Sequence, residues 1–184
     1  TLIIIDEVQS GIGRTGSLFA YEQFGITPDI LCFAKGISNG LPLGGILTSN
    51  KISKYMTVGS HGTTFGGGPI ATSIGSKVID ITSKKAFLNN VIKKEARFIK
   101  KLEGINSKYK CFSAINSAGL WISVEMSSKK NIEVDKLIKL SHQNGLMVLK
   151  ANSNTIRFSP SLIIENELID KGLDLFEKSI LGLL

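Results

Sequence analysis

The sequence has few cysteines and no long apolar run, and both shortages narrow the class of protein. Its two cysteines, Cys32 and Cys111, stand in apolar surroundings without metal-ligand spacing, so we expect buried free thiols and no metal site. No stretch approaches the roughly 18 apolar residues of a membrane span, and no signal segment opens the chain. We therefore expect a cytoplasmic globular protein of one or two domains without a membrane partner.

Acidic residues are also scarce, with 15 Asp and Glu against 22 Lys and Arg. The excess lies in the later part of the chain, because residues 1–80 carry five side chains of each sign. Much of it falls on a segment from Lys84 to Lys101 whose apolar residues keep a helical period. Because aromatic side chains do not interleave these lysines as a stacking surface, we interpret the segment as a solvated helix face and expect no nucleic-acid partner.

Two apolar runs each end in a charged residue, and the two charges are of opposite sign. The run Leu2–Ile5 leads into Asp6, and the run Ile30–Ala34 leads into Lys35. We interpret both as fully buried strands that deliver these charges to the carboxyl edge of a sheet, where open α/β folds bind ligands. Buried charges are costly unless they are paired or used, so the pattern predicts a functional site.

Two glycine-rich loops follow these strands. The first, Ser10–Ser17, matches G-x-G-x-x-G, but Asp6-Glu7 stands where a phosphate needs neutral or positive donors, so we interpret it as a flexible turn. The second, Gly59–Pro69, opens a helix predicted from Pro69 to about Thr82. Its backbone N–H groups and hydroxyls are able to approach an anion closely.

The composition changes near residue 83, where we place a domain boundary. Residues 84–184 predict a basic helix to Glu103, an α+β unit with a largely antiparallel sheet, and a final helix to Leu181. Residues 1–83 predict part of an α/β domain. Because the chain opens inside a strand pattern without methionine, we expect it to be the C-terminal part of a longer polypeptide.

Two kinds of enzyme use a strand that ends in Asp-Glu. A nucleotide hydrolase would hold magnesium on Asp6-Glu7, although the G-x-x-x-x-G-K-[ST] loop is absent and Lys35 is then unexplained. Pyridoxal phosphate chemistry instead needs a lysine, an acid for the ring nitrogen and donors for the phosphate. Asp6, Lys35 and the loop His61–Phe65 would supply all three. A related protein that binds a ligand with these residues but catalyses no reaction is the third alternative.

Several motifs together resemble the class III aminotransferases, and most closely the acetylornithine and ornithine aminotransferases. They are the segments Asp6–Gly16, Pro28–Ile30, Ala34–Gly36, Gly59–Gly67 and Ile156–Leu162. The resemblance implies fold type I, with residues 1–83 as the C-terminal part of the large cofactor-binding domain and residues 84–184 as the small domain. It covers only the C-terminal half of the family's length, so the fragment alone is expected to be incomplete.

The same resemblance implies a role for each matching position. Lys35 would be the catalytic residue, binding pyridoxal 5′-phosphate covalently and then carrying a proton between substrate and cofactor. Asp6 would pair with the ring nitrogen, Gln9 would donate to the ring's phenolic oxygen, and Val8 would pack on a ring face. No metal is implied.

The resemblance also implies a homodimer and a substrate. Thr64, and more weakly Thr63, would bind the phosphate of the neighbouring subunit's cofactor. Arg157 would pair with a substrate carboxylate through two hydrogen bonds. The implied reaction moves the terminal amine of N-acetylornithine or a related diamino acid to 2-oxoglutarate, as in arginine biosynthesis. The family has asparagine where this chain has Gly68, a difference that touches no chemical role.

Overall fold

The computed structural model describes residues 1–184 as two compact units, Thr1–Asn89 and Asn90–Leu184. The division falls inside one long helix, α3 (Lys85–Tyr109), which belongs to the second unit from Asn90 onward. Each unit has its own sheet, three-stranded in the first and four-stranded in the second. No helix is both long and apolar enough to cross a membrane.

The first unit combines a mixed sheet with short helices. Its elements are β1 (Ile4–Asp6), β2 (Ile30–Phe33), β3 (Gly45–Thr48), α1 (Asn50–Ser53), α2 (Pro69–Thr82) and two 3-10 helices, Ala20–Phe24 and Lys35–Ser38. β1 pairs with β2 in parallel, and β2 pairs with β3 antiparallel. Helix α2 has the predicted bounds, with Pro69 in its first turn, where a missing backbone N–H costs nothing.

Neither β1 nor β2 is the fully buried strand that the sequence predicts, since Leu31 is the only fully buried residue of β2. Leu2, Ile3 and Ile4 are all exposed, and Ile4 is 61% exposed. Only Ile5 packs against the core of this unit, which is built on Ile12, Phe19, Leu31 and Ile37. For β1 the prediction is wrong because it is an edge strand, paired on one side only within the three-stranded sheet.

The second unit is the predicted α+β arrangement. After α3 come β4 (Phe112–Ala118), β5 (Trp121–Met126), a 3-10 turn (Ser128–Lys130), α4 (Val134–Gln143), β6 (Leu149–Asn152), β7 (Thr155–Phe158) and α5 (Asn166–Leu181). The sheet order is β4-β5-β7-β6, and every neighbouring pair is antiparallel. A two-residue turn with Gly119 at φ +59° joins β4 to β5.

The core of the second unit overrides a local helix-breaking signal. Alternate residues of β5 and β7 are buried, and Phe158 lies 5.4 Å from Phe98 and 5.0 Å from Phe176 between ring centroids. Helix α3 was predicted to end at Glu103, before Gly104, but it continues to Tyr109. Burial of Leu102 and Ile105 on either side of this glycine offsets its roughly 1 kcal/mol helix penalty.

Acidic residues of α5 neutralise part of the positive charge of α3. Arg97 makes a two-pronged hydrogen bond with Asp170, with Nε donating to Oδ1 at 2.9 Å and Nη2 to Oδ2. Lys101 pairs with Asp174 at 2.7 Å, and Lys108 with Glu177 at 3.0 Å. Three of the basic side chains therefore have partners within their own unit.

Candidate active site

The predicted acid and amine lie at the same edge of the first sheet. β1 and β2 run in parallel as neighbours, and Asp6, the last residue of β1, pairs in register with Cys32 of β2. Lys35 follows the end of β2 at Phe33 by two residues. The carboxyl ends of the two strands therefore bring a carboxylate and an ammonium group to one edge, as the sequence predicts.

The backbone at Lys35 has an unusual conformation. Its φ is +49°, a left-handed value that costs a residue with a Cβ on the order of 1 kcal/mol, and it begins a 3-10 turn. Buried residues hold this turn from below: Ile37 is 3% exposed, and Ser38, at 1% exposed, donates its hydroxyl to the Leu41 carbonyl. The Lys35 side chain is exposed, so the fold fixes its starting point and leaves its amine accessible.

Asp6, Val8 and Gln9 lie on one short turn after β1. The Asp6 side chain is exposed, and its Oδ1 accepts from the Val8 N–H at 2.9 Å, which closes a local turn. Val8 is half-buried, whereas Gln9 is exposed. The structure therefore brings Asp6, Val8, Gln9 and Lys35 together at the end of β1 and β2.

Glu7 faces away from this edge and is buried, with only 1% of its surface exposed. Its Oε1 accepts from the Tyr21 N–H at 2.8 Å, and its Oε2 accepts from the Ser10 hydroxyl at 2.5 Å. Asp6 and Glu7 thus do not form a shared magnesium site, and no cluster of three or more metal-ligating side chains occurs in the chain. The nucleotide hydrolase hypothesis, which needs Asp6 and Glu7 to hold one magnesium ion, is therefore not supported.

The loop Ser10–Ser17 is a turn, as predicted, but a packed one. Gly11, Ile12 and Gly13 are buried, so the predicted flexibility is wrong. Two of its N–H groups already have local acceptors: Gly13 donates to the Leu18 carbonyl at 3.1 Å, and Gly16 to the Gly13 carbonyl at 3.1 Å. Donors used in this way do not cradle a phosphate. Burial lowers the pKa of Arg14 in the same loop.

Thr63 and Thr64 lie in a separate exposed loop that precedes α2. The Thr63 hydroxyl accepts from the Gly66 N–H at 3.2 Å and closes a turn. A Cβ on Gly66 would lie 2.1 Å from Thr63 Cγ2, so a larger residue there would displace the Thr63 side chain. Both threonine side chains face solvent, and neither belongs to the Asp6–Lys35 edge.

Arg157 lies in β7 of the second unit, where it pairs across the sheet with Ser123 and Leu149. Its Nε is buried and has no hydrogen-bond partner. Arg157 lines a mostly apolar cleft of about 190 Å³ together with Phe98, Leu149, Phe158 and Leu168. An unpaired cationic donor in an apolar cleft is suited to a ligand carboxylate.

The sequence does not predict that two charged residues are buried. One is Glu7, and the other is Lys94 of α3, which is 7% exposed and donates to the Leu162 carbonyl at 3.1 Å. Burial lowers the pKa of Lys94. The only sequence signal for Lys94 was its place in the apolar stripe of α3, between Val91 and Phe98.

Known proteins of one family match this chain over nearly its whole length. The family model "Aminotransferase class-III" matches residues 1–180. An acetylornithine/succinyldiaminopimelate aminotransferase of Yersinia pestis is 41% identical over 179 residues, which are 97% of this chain and 44% of the relative. A succinylornithine transaminase of Photorhabdus laumondii is 39% identical over 180 residues, 98% of this chain and 45% of the relative. The chain thus spans less than half the length of these curated relatives.

Solved structures give the same result. N-acetylornithine aminotransferase from Stenotrophomonas maltophilia superposes with a TM-score of 0.89 at 27% identity, covering 99% of this chain and 47% of that one. Ornithine aminotransferase from Plasmodium yoelii superposes with a TM-score of 0.89 at 26% identity, covering 100% and 49% respectively.

Proposed function

Because the chain belongs to the class III aminotransferase family and has its fold type I architecture, we propose that it is the C-terminal part of a pyridoxal-phosphate-dependent transaminase. The observation that carries the proposal is the parallel pairing of β1 and β2, which brings Asp6 and Lys35 to one sheet edge. In this assignment residues 1–83 belong to the cofactor-binding domain and residues 84–184 to the small domain. The separate sheets of the two units support that division.

The donor set of the first unit fits pyridoxal 5′-phosphate, the cofactor of this family. An exposed carboxylate and an accessible amine of one subunit match the ring nitrogen and the aldehyde, and the exposed threonine hydroxyls of the neighbouring subunit match the phosphate. When bound, the cofactor supplies an electron sink for charge that develops on the substrate carbon.

Each of the four site residues at the sheet edge then has a defined task. Asp6 keeps a proton on the ring nitrogen through a charge-assisted hydrogen bond. Gln9 donates a hydrogen bond to the phenolic oxygen, and Val8 packs on one face of the ring. Nζ of Lys35 binds the cofactor and, once released, moves a proton to and from the substrate carbon, a task for an amine held close to that carbon.

Arg157 and the threonine loop complete the assignment. Arg157 binds a substrate carboxylate with its guanidinium, and its unpaired Nε supports this role. Thr64, with a weaker contribution from Thr63, binds the phosphate of a neighbouring subunit's cofactor, so the active enzyme is a homodimer. Exposure of this loop in the single chain supports a contact outside it.

We further propose N-acetylornithine or a related diamino acid as amino donor and 2-oxoglutarate as acceptor, in cytoplasmic arginine biosynthesis. The names of the similar proteins support this class, since they include acetylornithine, succinylornithine and succinyldiaminopimelate enzymes. A shared feature of these substrates is a terminal amine at the far end of a chain that bears a carboxylate.

The test uses the protein expressed from the complete gene with added pyridoxal phosphate. We expect a shifted cofactor absorbance, borohydride fixation of the cofactor on the peptide that contains Lys35, and amine transfer from acetylornithine. The Lys35→Ala variant should lose fixation and transfer. Magnesium-dependent ATP hydrolysis that is indifferent to Lys35 would support the hydrolase instead, and cofactor binding without transfer would support the binding protein.

A further inference from the structure

Glu7 has no task in the proposed reaction, yet every polar group it carries has a partner. Its N–H donates to the Cys32 carbonyl at 2.8 Å, and its own carbonyl accepts from the Gly11 N–H at 3.0 Å. Its two carboxylate oxygens accept from Ser10 and Tyr21. At 1% exposed, it is also more buried than the other buried charged residue of the chain, Lys94. A buried carboxylate is kept only where hydrogen bonds replace its water.

These bonds join three separate segments at the edge of the sheet. They connect β2, the turn at Ser10–Gly11 and the 3-10 helix Ala20–Phe24. In contrast to Glu7, Asp6 before it and Gln9 two residues after it are exposed. Glu7 therefore holds the backbone from which Asp6 and Gln9 project.

The same loop reaches the residues beside Lys35. Ile12 is 3% exposed, has a left-handed φ of +57°, and shares one core cluster with Ile37. A Cβ on Gly36 would touch the Ile12 Cβ at 3.5 Å, so the loop forms the floor under this turn. Space is also tight at Gly11, where a Cβ would lie 2.8 Å from the Glu7 carbonyl oxygen.

We propose that Glu7 is a positioning residue that sets the geometry of Asp6 and Gln9 directly and that of Lys35 through Ile12. The proposal rests on the proposed function, since the geometry in question is that of cofactor capture. Its role is one of shape: the groups that its carboxylate contacts are a neutral hydroxyl and a backbone N–H. A side chain of the same length that still bonds to the Ser10 hydroxyl and the Tyr21 N–H should therefore substitute for Glu7 with little loss of cofactor affinity.

Two variants separate shape from charge. Glu7→Gln keeps the length and one acceptor oxygen, and its amide is able to donate to the Ser10 hydroxyl, but it has no charge. Glu7→Asp keeps the charge but is one methylene shorter, so it no longer reaches both donors. Ser10→Ala removes only the hydrogen bond from the Ser10 hydroxyl to Glu7, and it is the variant to use if Glu7→Asp folds poorly. Ser179→Ala, a buried hydroxyl of the second unit that bonds to Asn144 and Leu175, controls for lost stability alone.

The measurements are cofactor affinity by absorbance titration, thermal unfolding, and hydrogen exchange at the Gly11 and Tyr21 amides without cofactor. We expect the cofactor dissociation constant of Glu7→Gln to stay within about threefold of the wild-type value. That of Glu7→Asp should rise about tenfold, as for the loss of one strong hydrogen bond. Exchange at both amides should quicken in Glu7→Asp and in Ser10→Ala, with a smaller loss of affinity in the latter.

Two results would overturn the proposal. If Glu7→Gln weakens cofactor binding as much as Glu7→Asp does, side-chain length without charge is not sufficient, and the proposed role of shape is refuted. If Glu7→Asp changes affinity no more than Ser179→Ala does at an equal loss of stability, Glu7 is merely structural. Failure of the wild-type protein to capture the cofactor would instead refute the proposed function, and amide exchange would still show whether Glu7 holds the loop.

Discussion

The ammonium nitrogen of Lys94 in α3 donates to the backbone carbonyl oxygen of Leu162 at 3.1 Å, and the two residues are far apart in the chain. Leu162 lies in the connection between β7 and α5, directly after the segment that carries Arg157. A lysine that is 7% exposed thus ties this connection to α3. Its long aliphatic stem fills space in the core while its charge has a backbone acceptor.

Truncation of Lys94 should destabilise the second unit. Lys94→Ala removes both the donor and the aliphatic stem, and we expect the free energy of unfolding to fall by about 2–4 kcal/mol in urea titrations. Lys94→Met is the matched control, because it refills the space without the charge and should lose clearly less. Equal losses in the two variants would show that the hydrogen bond dominates over packing.

Replacement of Arg157 should affect substrate binding and leave cofactor binding unchanged. Arg157→Lys keeps a positive charge but lacks the planar fork, so we expect the KM for the amino donor to rise at least about tenfold. Arg157→Ala should raise it further. Lys150→Met removes a cation from β6 that pairs with Asp135 at 2.7 Å, and it should leave KM unchanged. An unchanged KM in Arg157→Ala would show that another group holds the carboxylate.

The ion pair between α3 and α5 should make stability depend on pH at the acid end. The hydrogen bond from Arg97 holds the pKa of Asp170 below its usual value. Such a carboxylate stabilises the fold at pH values above the unfolded pKa of about 3.9, and this contribution is lost as the pH falls through the folded pKa.

Asp170→Asn should therefore be less stable than wild type near pH 6, and the difference should shrink as the pH drops below about 4. Thermal unfolding across this range measures it. Glu103→Gln, at an exposed carboxylate of α3, is the control. A difference between Asp170→Asn and wild type that stays constant down to pH 2 would contradict the argument.

The two free thiols should differ in reactivity. Burial raises the pKa of Cys111 to about 11, so its thiol stays protonated at neutral pH, and it is fully enclosed. Cys32 is only partly buried. We expect iodoacetamide to label Cys32 in the native protein and Cys111 only after denaturation, as peptide mass spectrometry would show. Equal labelling rates would mean that Cys111 is not enclosed.

What the sequence could predict was local. The end of β1 at Asp6 and the helix that starts at Pro69 follow from short patterns, and the structure has them where expected, whereas β2 ends at Phe33, two residues before Lys35. The membership in the family, which the comparisons confirm, also depended on contiguous motifs.

Burial could not be predicted in the same way, because it depends on distant residues. An apolar run predicts a buried strand only if neighbours cover both faces, and Ile4 lacks them. Glu7 looked like a partner of Asp6 for a metal, but the Tyr21 N–H, which comes from another segment, holds it inward. The sequence does not distinguish Lys94 from the other lysines of α3, because its acceptor, the Leu162 carbonyl, is distant in the chain. The roles of Thr63, Thr64 and Arg157 stay predictions.

The uncovered β1 strand affects how residues 1–184 behave in a test tube. An edge strand with unpaired backbone groups is a template for another strand, and natural edges are usually protected by lysine, proline or a bulge. Residues 1–5 contain none of these, and Leu2, Ile3 and Ile4 are exposed. Preparations of these residues by themselves will therefore self-associate, and their apparent size will grow with protein concentration.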